Sequence, residues 1–454
     1  MPTPNSRFTA ADGHEYRFDA ELGTGGQAVV WKVTRVTDGQ SMALKLFKNP
    51  PTGGDLIKQR DRLKKVIEIS QQIAESLPQS LVCYPSAIHA SGGEFGVLME
   101  IAKGKPLDDR SLLEKPDNQP QAFISNALRS VLQRNEKYHH FLLSGFHLCR
   151  ALRVIHRYGM THCDLSLPNV FFEPSDGRVS LIDCDNLACG DSYLPAKVAG
   201  TPGFRAPELI TAANPTPRPE TDLHSLATLL FYLLMFRHPF VGEKYHEFRP
   251  DLNYRNDEEA LLGKNAIFTE HPTNNRNRCQ GGLPFASLPK GLRDLFIVAF
   301  TDGLTDPGKR PTAAAWAQEI WKALECMAEC SRCRQRYFIS DRDFSCLFCG
   351  AKNPAKRWRL RFSNGRKMLA AHGRKLYEHH LENAEFQFQR PMAELKEAER
   401  GMTLKNLSEH TWTVHLTSGV AKQCARGFAF QFEGVKHFDF PNGRAFIEPV
   451  VDEV

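Results

Sequence analysis

A His, an Asp and an Asn fall within eight residues in "THCDLSLPNVFF", Thr161 to Phe172. Asp164 is a candidate to take a proton from an attacking hydroxyl, the work of a general base. Asn169 offers an amide oxygen to a metal ion, and the strand-like run "RVSLID" then delivers Asp183 as a second oxygen ligand. Mg2+ combines carboxylate and amide oxygens with phosphate oxygens, so an Asp and an Asn beside a triphosphate suit it. The plainer reading is a buried loop whose Asp and Asn cap local backbone, and the rest of the chain decides between the two.

Upstream, "LGTGGQAVVWKV" (Leu22 to Val33) sets Gly23, Gly25 and Gly26 between two strand-like runs. Backbone without Cβ atoms can lie close over phosphates and turn its N–H groups toward them. About twenty residues on, "MALK" places Lys45 in a strand, where its ammonium can hold α- and β-phosphates as a point charge. A Gly-rich hairpin is usually only a turn and a strand lysine usually an edge charge, so the pairing carries the argument. "GTPGFRAPEL" (Gly200 to Leu209), "TDLHSLATLL" (from Thr221) and "DPGKRPTA" (Asp306 to Ala313) follow in order.

Together these segments resemble a eukaryotic-type (Hanks-type) serine/threonine protein kinase of a divergent bacterial branch, over roughly residues 14–325. The resemblance implies an α+β, bilobal protein-kinase fold, with residues 14–102 as N-lobe and 103–325 as C-lobe. It implies an ATP- and Mg2+-dependent enzyme phosphorylating Ser or Thr of a protein partner, with Asp164 as base and Mg2+ on Asn169 and Asp183. The implied nucleotide contacts are Leu22, Gly23, Gly25, Gly26 and Val30, with Ala28 at the third glycine position, then Ala43 and Lys45. In "VLMEIAKG", Met99 matches the gatekeeper, and Glu100 and Ala102 offer hinge backbone to adenine. Glu68 best matches the acid that pairs with Lys45, with Asp61 as the alternative. Glu208 is expected to pair with Arg310, Asp222 to anchor the catalytic loop and Thr201 to line the acceptor site.

The pattern also breaks. His-Arg-Asp is "HCD", so with Cys163 no buried cation awaits a phosphate on the activation loop. Asp-Phe-Gly is "DCD", which keeps Asp183 and loses the apolar plug and the glycine. Ser166 replaces the lysine that steadies the γ-phosphate, removing one cation. An active kinase is the main reading. A pseudokinase, an ATP-binding scaffold acting through its C-terminal modules, stands as the alternative.

The elements that must position these residues follow from patterning. Residues 14 to about 105 alternate strand-like runs with glycine turns, interrupted by "DLIKQRDRLKKVIEISQQIA" (Asp55 to Ala74), which reads as a charged amphipathic helix. Residues 105–135 are polar and loop-like, and helical patterning dominates from Glu136 to about 325. "LATLLFYLLMF" (Leu226 to Phe236) is too short to span a bilayer and suits a buried helix.

A different composition begins at Cys326. Cys330-x2-Cys333 and Cys346-x2-Cys349 stand twelve residues apart, slightly closer than the usual gap between two knuckles that converge on one structural Zn2+; the zinc ribbon is favoured over four free cysteines in a loop, with Cys326 as a substitute ligand. Residues 326–352 are read as a zinc ribbon and 353–454 as a β-rich module, sandwich or barrel. In "KRWRLRF", Trp358, Leu360 and Phe362 share one strand face and Arg357, Arg359 and Arg361 the other. That basic face is read as solvated in preference to binding nucleic acid. His379 and His380, placed on a strand, would point apart. The module resembles, loosely, bacterial kinases encoded beside a von Willebrand A protein and a metal-dependent phosphatase, which implies such a partner. The net charge of +6 does not call for nucleic acid. The N-terminus lacks the apolar core of a signal peptide, which leads to the expectation of a cytoplasmic protein with no membrane partner. Of the twelve cysteines, four in C-x-x-C pairs suit metal binding in a reducing compartment.

Overall fold

The computed structural model describes residues 2–73, 81–107, 136–195, 200–211, 216–248, 255–279, 282–339, 345–352, 357–382, 386–398 and 401–450. Most of the polar stretch expected as a loop lies outside them. The chain divides into two compact units, residues 1–320 and 321–454.

The first unit begins with a six-stranded antiparallel sheet. Its strands are β1 (Arg7–Thr9), β2 (Glu15–Thr24), β3 (Ala28–Arg35), β4 (Ser41–Phe47), β5 (Pro85–Ser91) and β6 (Glu94–Met99), in the order β1-β2-β3-β4-β6-β5. Period-two alternation splits its side chains between two cores. Tyr16, Phe18, Val33, Leu44 and Leu98 fill one. Ala43, Val97 and Met99 fill the other, together with Leu63 from helix α1 (Gly53–Ile73). In register, Val30 lies opposite Lys45, Lys45 opposite Val97, and Ala43 opposite Met99. The lysine and the apolar residues expected to hold a nucleotide therefore share a sheet face.

The rest of this unit is mainly helical. The helix Pro219–Met235 starts on a proline in its first turn, where no N–H is missed, and ends at Phe236 in the left-handed region. It is apolar nearly all round and is buried nearly all round. Phe231, Phe268, Phe296 and Phe300 pack against one another, and Trp316 packs on Phe296. Among the described residues, no helix is long and apolar enough to cross a membrane.

In the second unit the ribbon and the β-rich part are continuous. The hairpin Met327–Glu329 with Arg336–Phe338 shares a core, Ala328, Cys330, Tyr337 and Cys346, with Leu369 and Val450 of the β-rich part. The expected boundary near 352 is therefore one of composition, while compactness unites its two sides. Two antiparallel sheets follow. One has the strand order 367–369, 357–362, 443–450, 435–440, 412–416, 421–424, and the other 375–376, 393–398, 401–406, 429–431. Leu360, Phe362, Leu395, Leu404, Trp412 and Phe438 fill the space between them, so the module is a sandwich.

Two local expectations change here. His379 and His380 lie in a helical turn, Glu378–Leu381, and their rings stack 4.4 Å apart instead of pointing apart. His380 Nδ1 accepts from the Tyr377 backbone N–H at 2.9 Å, a local cap that sequence alternation cannot reveal. The basic strand face is partly neutralised from within: Arg359 and Arg361 share one carboxylate, Glu448, and Arg361 also lies 4.5 Å over the Phe446 ring.

Candidate active site

The catalytic-loop segment is fixed from below by one carboxylate. Buried Asp222 accepts the His162 N–H at 2.7 Å and the Cys163 N–H at 3.1 Å, and it also meets His156 Nε2 at 3.0 Å. Cys163 sits in the left-handed region at φ 71°, which a non-glycine residue holds only when its surroundings insist. His162 Nε2 bonds the Ile182 carbonyl at 3.0 Å, and the Ile182 N–H donates to the Asn169 carbonyl at 2.9 Å. The loop bearing Asp164 and Asn169 is thereby tied to the segment that leads from the strand Val179–Leu181 to Asp183.

Asp164 is met from two sides. Asn169 Nδ2 donates to its carboxylate at 3.1 Å and to its backbone carbonyl at 2.8 Å. From the other side the Thr201 N–H and hydroxyl both donate to Asp164 Oδ1 at 2.8 Å. The Ser166 hydroxyl lies 3.1 Å from that of Thr201, whose one proton goes to Asp164, and Ser166 is fully buried. Where the family pattern has a lysine, this chain closes the floor with a hydroxyl pair. Glu208 and Arg310 form a two-pronged pair at 2.6 and 2.7 Å, and Arg310 also bonds the Gly303 and Glu220 carbonyls.

Across from this loop, Lys45 meets Asp183 and also Asp185, the latter through both carboxylate oxygens at 2.8 and 3.0 Å. These two acids hold the ammonium above the ordinary lysine range against the opposing effect of burial. Asp183 is left-handed at φ 61°, and the single 3-10 turn Cys184–Asn186 that follows brings the two acids to the same amine. Asn186 Nδ2 donates to the second oxygen of Asp183 at 2.8 Å.

The expected helix acids are elsewhere. Glu68 pairs with Lys65 on the exposed side of α1, and Asp61 is exposed too. The inward position belongs to Arg62, which donates to the Asp185 carbonyl at 2.5 Å and the Leu187 carbonyl at 3.0 Å. Asp185 and Arg62 went unread in the sequence. Arg62 falls in step with Val66, Ile69 and Ile73, a helical stripe that would have shown it facing inward.

The glycine loop leaves room for a ligand. Cβ atoms placed on Gly23 and Gly26 would meet nothing within 4 Å, and one on Gly25 only a carbonyl at 4.0 Å. None of the three has a positive φ, so neither this chain's packing nor its backbone requires glycine there. Close approach of another molecule is the remaining reason for three of them. Below lie Val30, Ala43 and Met99, an apolar surface that suits a flat base. Asp183 and Asn169 supply the hard oxygens that Mg2+ prefers.

In the second unit the four expected cysteines converge. Cys330 and Cys349 sulfurs are 3.7 Å apart and those of Cys333 and Cys346 3.6 Å, far beyond a disulfide bond. Sulfurs about 2.3 Å from a tetrahedral zinc stand about 3.8 Å apart, so the spacing is compatible with one ion. Cys326 is not among them; its thiol lies 3.6 Å from the Lys367 carbonyl.

Residues 16–321 match the family model described as protein kinase domain. A stretch of 236 residues is 27% identical to NUAK family SNF1-like kinase 2 of Homo sapiens, covering 51% of this chain and 33% of that protein. Serine/threonine-protein kinase PknL of Mycobacterium tuberculosis is 25% identical over 234 residues, 50% of this chain and 51% of that one. Serine/threonine-protein kinase PknK of Mycobacterium bovis is 24% identical over 219 residues, 47% and 17% respectively. The chain thus spans about half or less of the length of these relatives.

Proposed function

This chain belongs to the protein kinase family, and from that premise we propose that it transfers the γ-phosphoryl group of ATP to Ser or Thr of a protein. The observation that carries the reading is the Thr201 hydroxyl, donating to Asp164 Oδ1 at 2.8 Å. A base must come within about 2.6–3.2 Å of the proton it takes, and here a hydroxyl of the acceptor's own kind stands at that distance. In the reaction Asp164 accepts the acceptor's proton while Asn169 holds the carboxylate in place. Lys45 draws the α- and β-phosphates, the glycine loop covers them, and Val30, Ala43 and Met99 line the base, with Glu100 and Ala102 backbone at its edge. Bound between Asn169 and Asp183, Mg2+ would neutralise phosphate charge. With Ser166 in place of a lysine that shell has one cation fewer, so transfer is slow.

The reading extends to the second unit, where Cys330, Cys333, Cys346 and Cys349 hold a structural Zn2+ and the sandwich serves a protein partner. A von Willebrand A protein and a metal-dependent phosphatase are the partners we favour, on the resemblance noted above, and the cytoplasm is the compartment.

Transfer of radiolabelled phosphate from ATP tests the reading. Asp164→Asn should keep nucleotide binding and lose about 10²–10⁴-fold in rate, the usual contribution of a positioned base. A wild-type protein that binds ATP and labels neither itself nor its partner would replace this reading with that of a nucleotide-binding scaffold.

A further inference from the structure

Lys45 and Arg62 bring two positive charges into this site, and Asp183 and Asp185 bring two negative ones. The count matters because buried charge is tolerated only when compensated. Asp185 is wholly buried and Arg62 nearly so. A glycine at 185 would leave Arg62 without compensation, and an acid at 62 would leave three carboxylates around one lysine. The two residues therefore form a matched exchange: the acid lies in the loop after Asp183, and the helix position that faces it is basic.

Resting on the kinase reading, we infer that Asp185 is the positioning residue for Lys45, the task expected of a helix acid, and that Arg62 links α1 to it through the loop backbone. Three observations agree. Asp185 grips the Lys45 ammonium with both carboxylate oxygens. Arg62 spends its hydrogen bonds on the carbonyls of Asp185 and Leu187, so a shift of α1 moves the loop that carries the acid. Both acids on α1 that sequence offered for the task face outward. The arrangement also frees Asp183. When Asp183 turns to a metal ion, Lys45 keeps a carboxylate partner and stays in place beneath the glycine loop. Without Asp185, the only acid left within reach of Lys45 among the described contacts is the one the metal needs.

That competition gives the test. Purified full-length wild type, Asp185→Asn and Glu68→Gln are compared for nucleotide binding by calorimetry, and for kcat and KM(ATP) across a Mg2+ series, with thermal unfolding in parallel. Asp185→Asn is nearly isosteric. It should raise the Mg2+ concentration for half-maximal rate about tenfold, raise KM(ATP), and recover much of its rate at high Mg2+. Glu68→Gln should match wild type throughout. An Asp185→Asn protein with wild-type kinetics overturns the inference. So does a loss that is equal at every Mg2+ concentration, because that describes general loosening of the fold. Failure of the kinase reading looks different: wild type itself would bind no Mg2+ and ATP together, or would bind them and transfer nothing.

Discussion

The cysteine cluster and the lysine cradle both gather four groups at one point, by opposite means. Cys330, Cys333, Cys346 and Cys349 come from two turns within a span of twenty residues, where the Cys330 N–H bonds the Gln335 carbonyl and the Cys346 N–H bonds the Ala351 carbonyl. Lys45, Arg62, Asp183 and Asp185 come from a strand, a helix and a loop, the acids lying 138 and 140 positions along the chain from the lysine. In the first case spacing dictates geometry, because short turns leave the thiols few places to go. In the second, geometry depends on how α1 rotates against the sheet, and no local pattern states that. A cluster that a ligand closes should also fail when the ligand leaves, whereas one closed by its own opposite charges should stand alone.

The largest effect should therefore come from the cysteines. A structural zinc contributes ~10–16 kcal/mol of apparent binding energy in small peptides. Cys346→Ser should lose stoichiometric zinc and lower the unfolding temperature of the second unit, as should prolonged chelation of the wild type. Elemental analysis with calorimetry checks this. A zinc-free wild type with undiminished stability would erase the contrast.

Next in size is the anchor of the catalytic loop. Asp222→Asn keeps the shape but turns one amide N–H toward a backbone N–H that needs an acceptor. Breaking a buried charged set of this kind costs about 3–5 kcal/mol. Urea denaturation should show a loss of that order, and phosphoryl transfer should fall with it because Cys163 loses what holds it at positive φ. A change below about 1 kcal/mol would mean that the loop is held by other means.

These two regions also mark what sequence could and could not disclose. The catalytic loop and the cysteine knuckles were legible because each is a short segment whose residue types define its chemistry. Asp222 and Arg310 were found by motif resemblance, and the structure gives each its contacts. The cradle was half legible. Lys45 and Asp183 stood out, but Asp185 was read only as a missing glycine, and its own charge passed unnoticed. Glu68 matches the helix acid by its place in the sequence alone, and a shift of two residues along a helix turns a side chain from the core to the solvent. Arg62 runs against composition-based expectation, since arginines are seldom fully buried. Its place on the Val66, Ile69 and Ile73 stripe was visible throughout. The turn at His379 and the pairing of Arg359 and Arg361 with Glu448 needed the third dimension.

A smaller effect should come from Arg62→Met, which keeps most of the volume and removes the hydrogen bonds to Asp185 and Leu187. Hydrogen bonds from a charged donor contribute about 1.5–3 kcal/mol each, and burial of the longer apolar chain recovers part of that. A net loss of about 1–3 kcal/mol in urea denaturation is expected, with weaker nucleotide binding as the loop loosens. Unchanged stability and affinity would sever α1 from the loop and leave the cradle to Lys45 and its acids alone.

The smallest effect sharpens the comparison most. Glu68 is 57% exposed and, among the described residues, its carboxylate meets only Lys65, three residues back along the helix. Exposed pairs of this kind contribute about 0.2–0.5 kcal/mol, so Glu68→Gln should be nearly silent in thermal unfolding. The alternative is that α1 rotates in the nucleotide-bound protein and brings Glu68 to Lys45, which a large loss of activity in Glu68→Gln would indicate. Six residues at about 100° each place Glu68 about 120° around the helix from Arg62. Turning α1 that far would carry Val66, Ile69 and Ile73 out toward water, at about 1.5–3 kcal/mol for each side chain exposed. It would also break both Arg62 bonds and leave Asp185 buried beside fewer cations. One Lys–Glu pair in their place, offset by its own desolvation, does not repay that sum. Helix α1 is accordingly expected to keep its present face to the sheet when nucleotide binds, and Glu68 to remain in solvent.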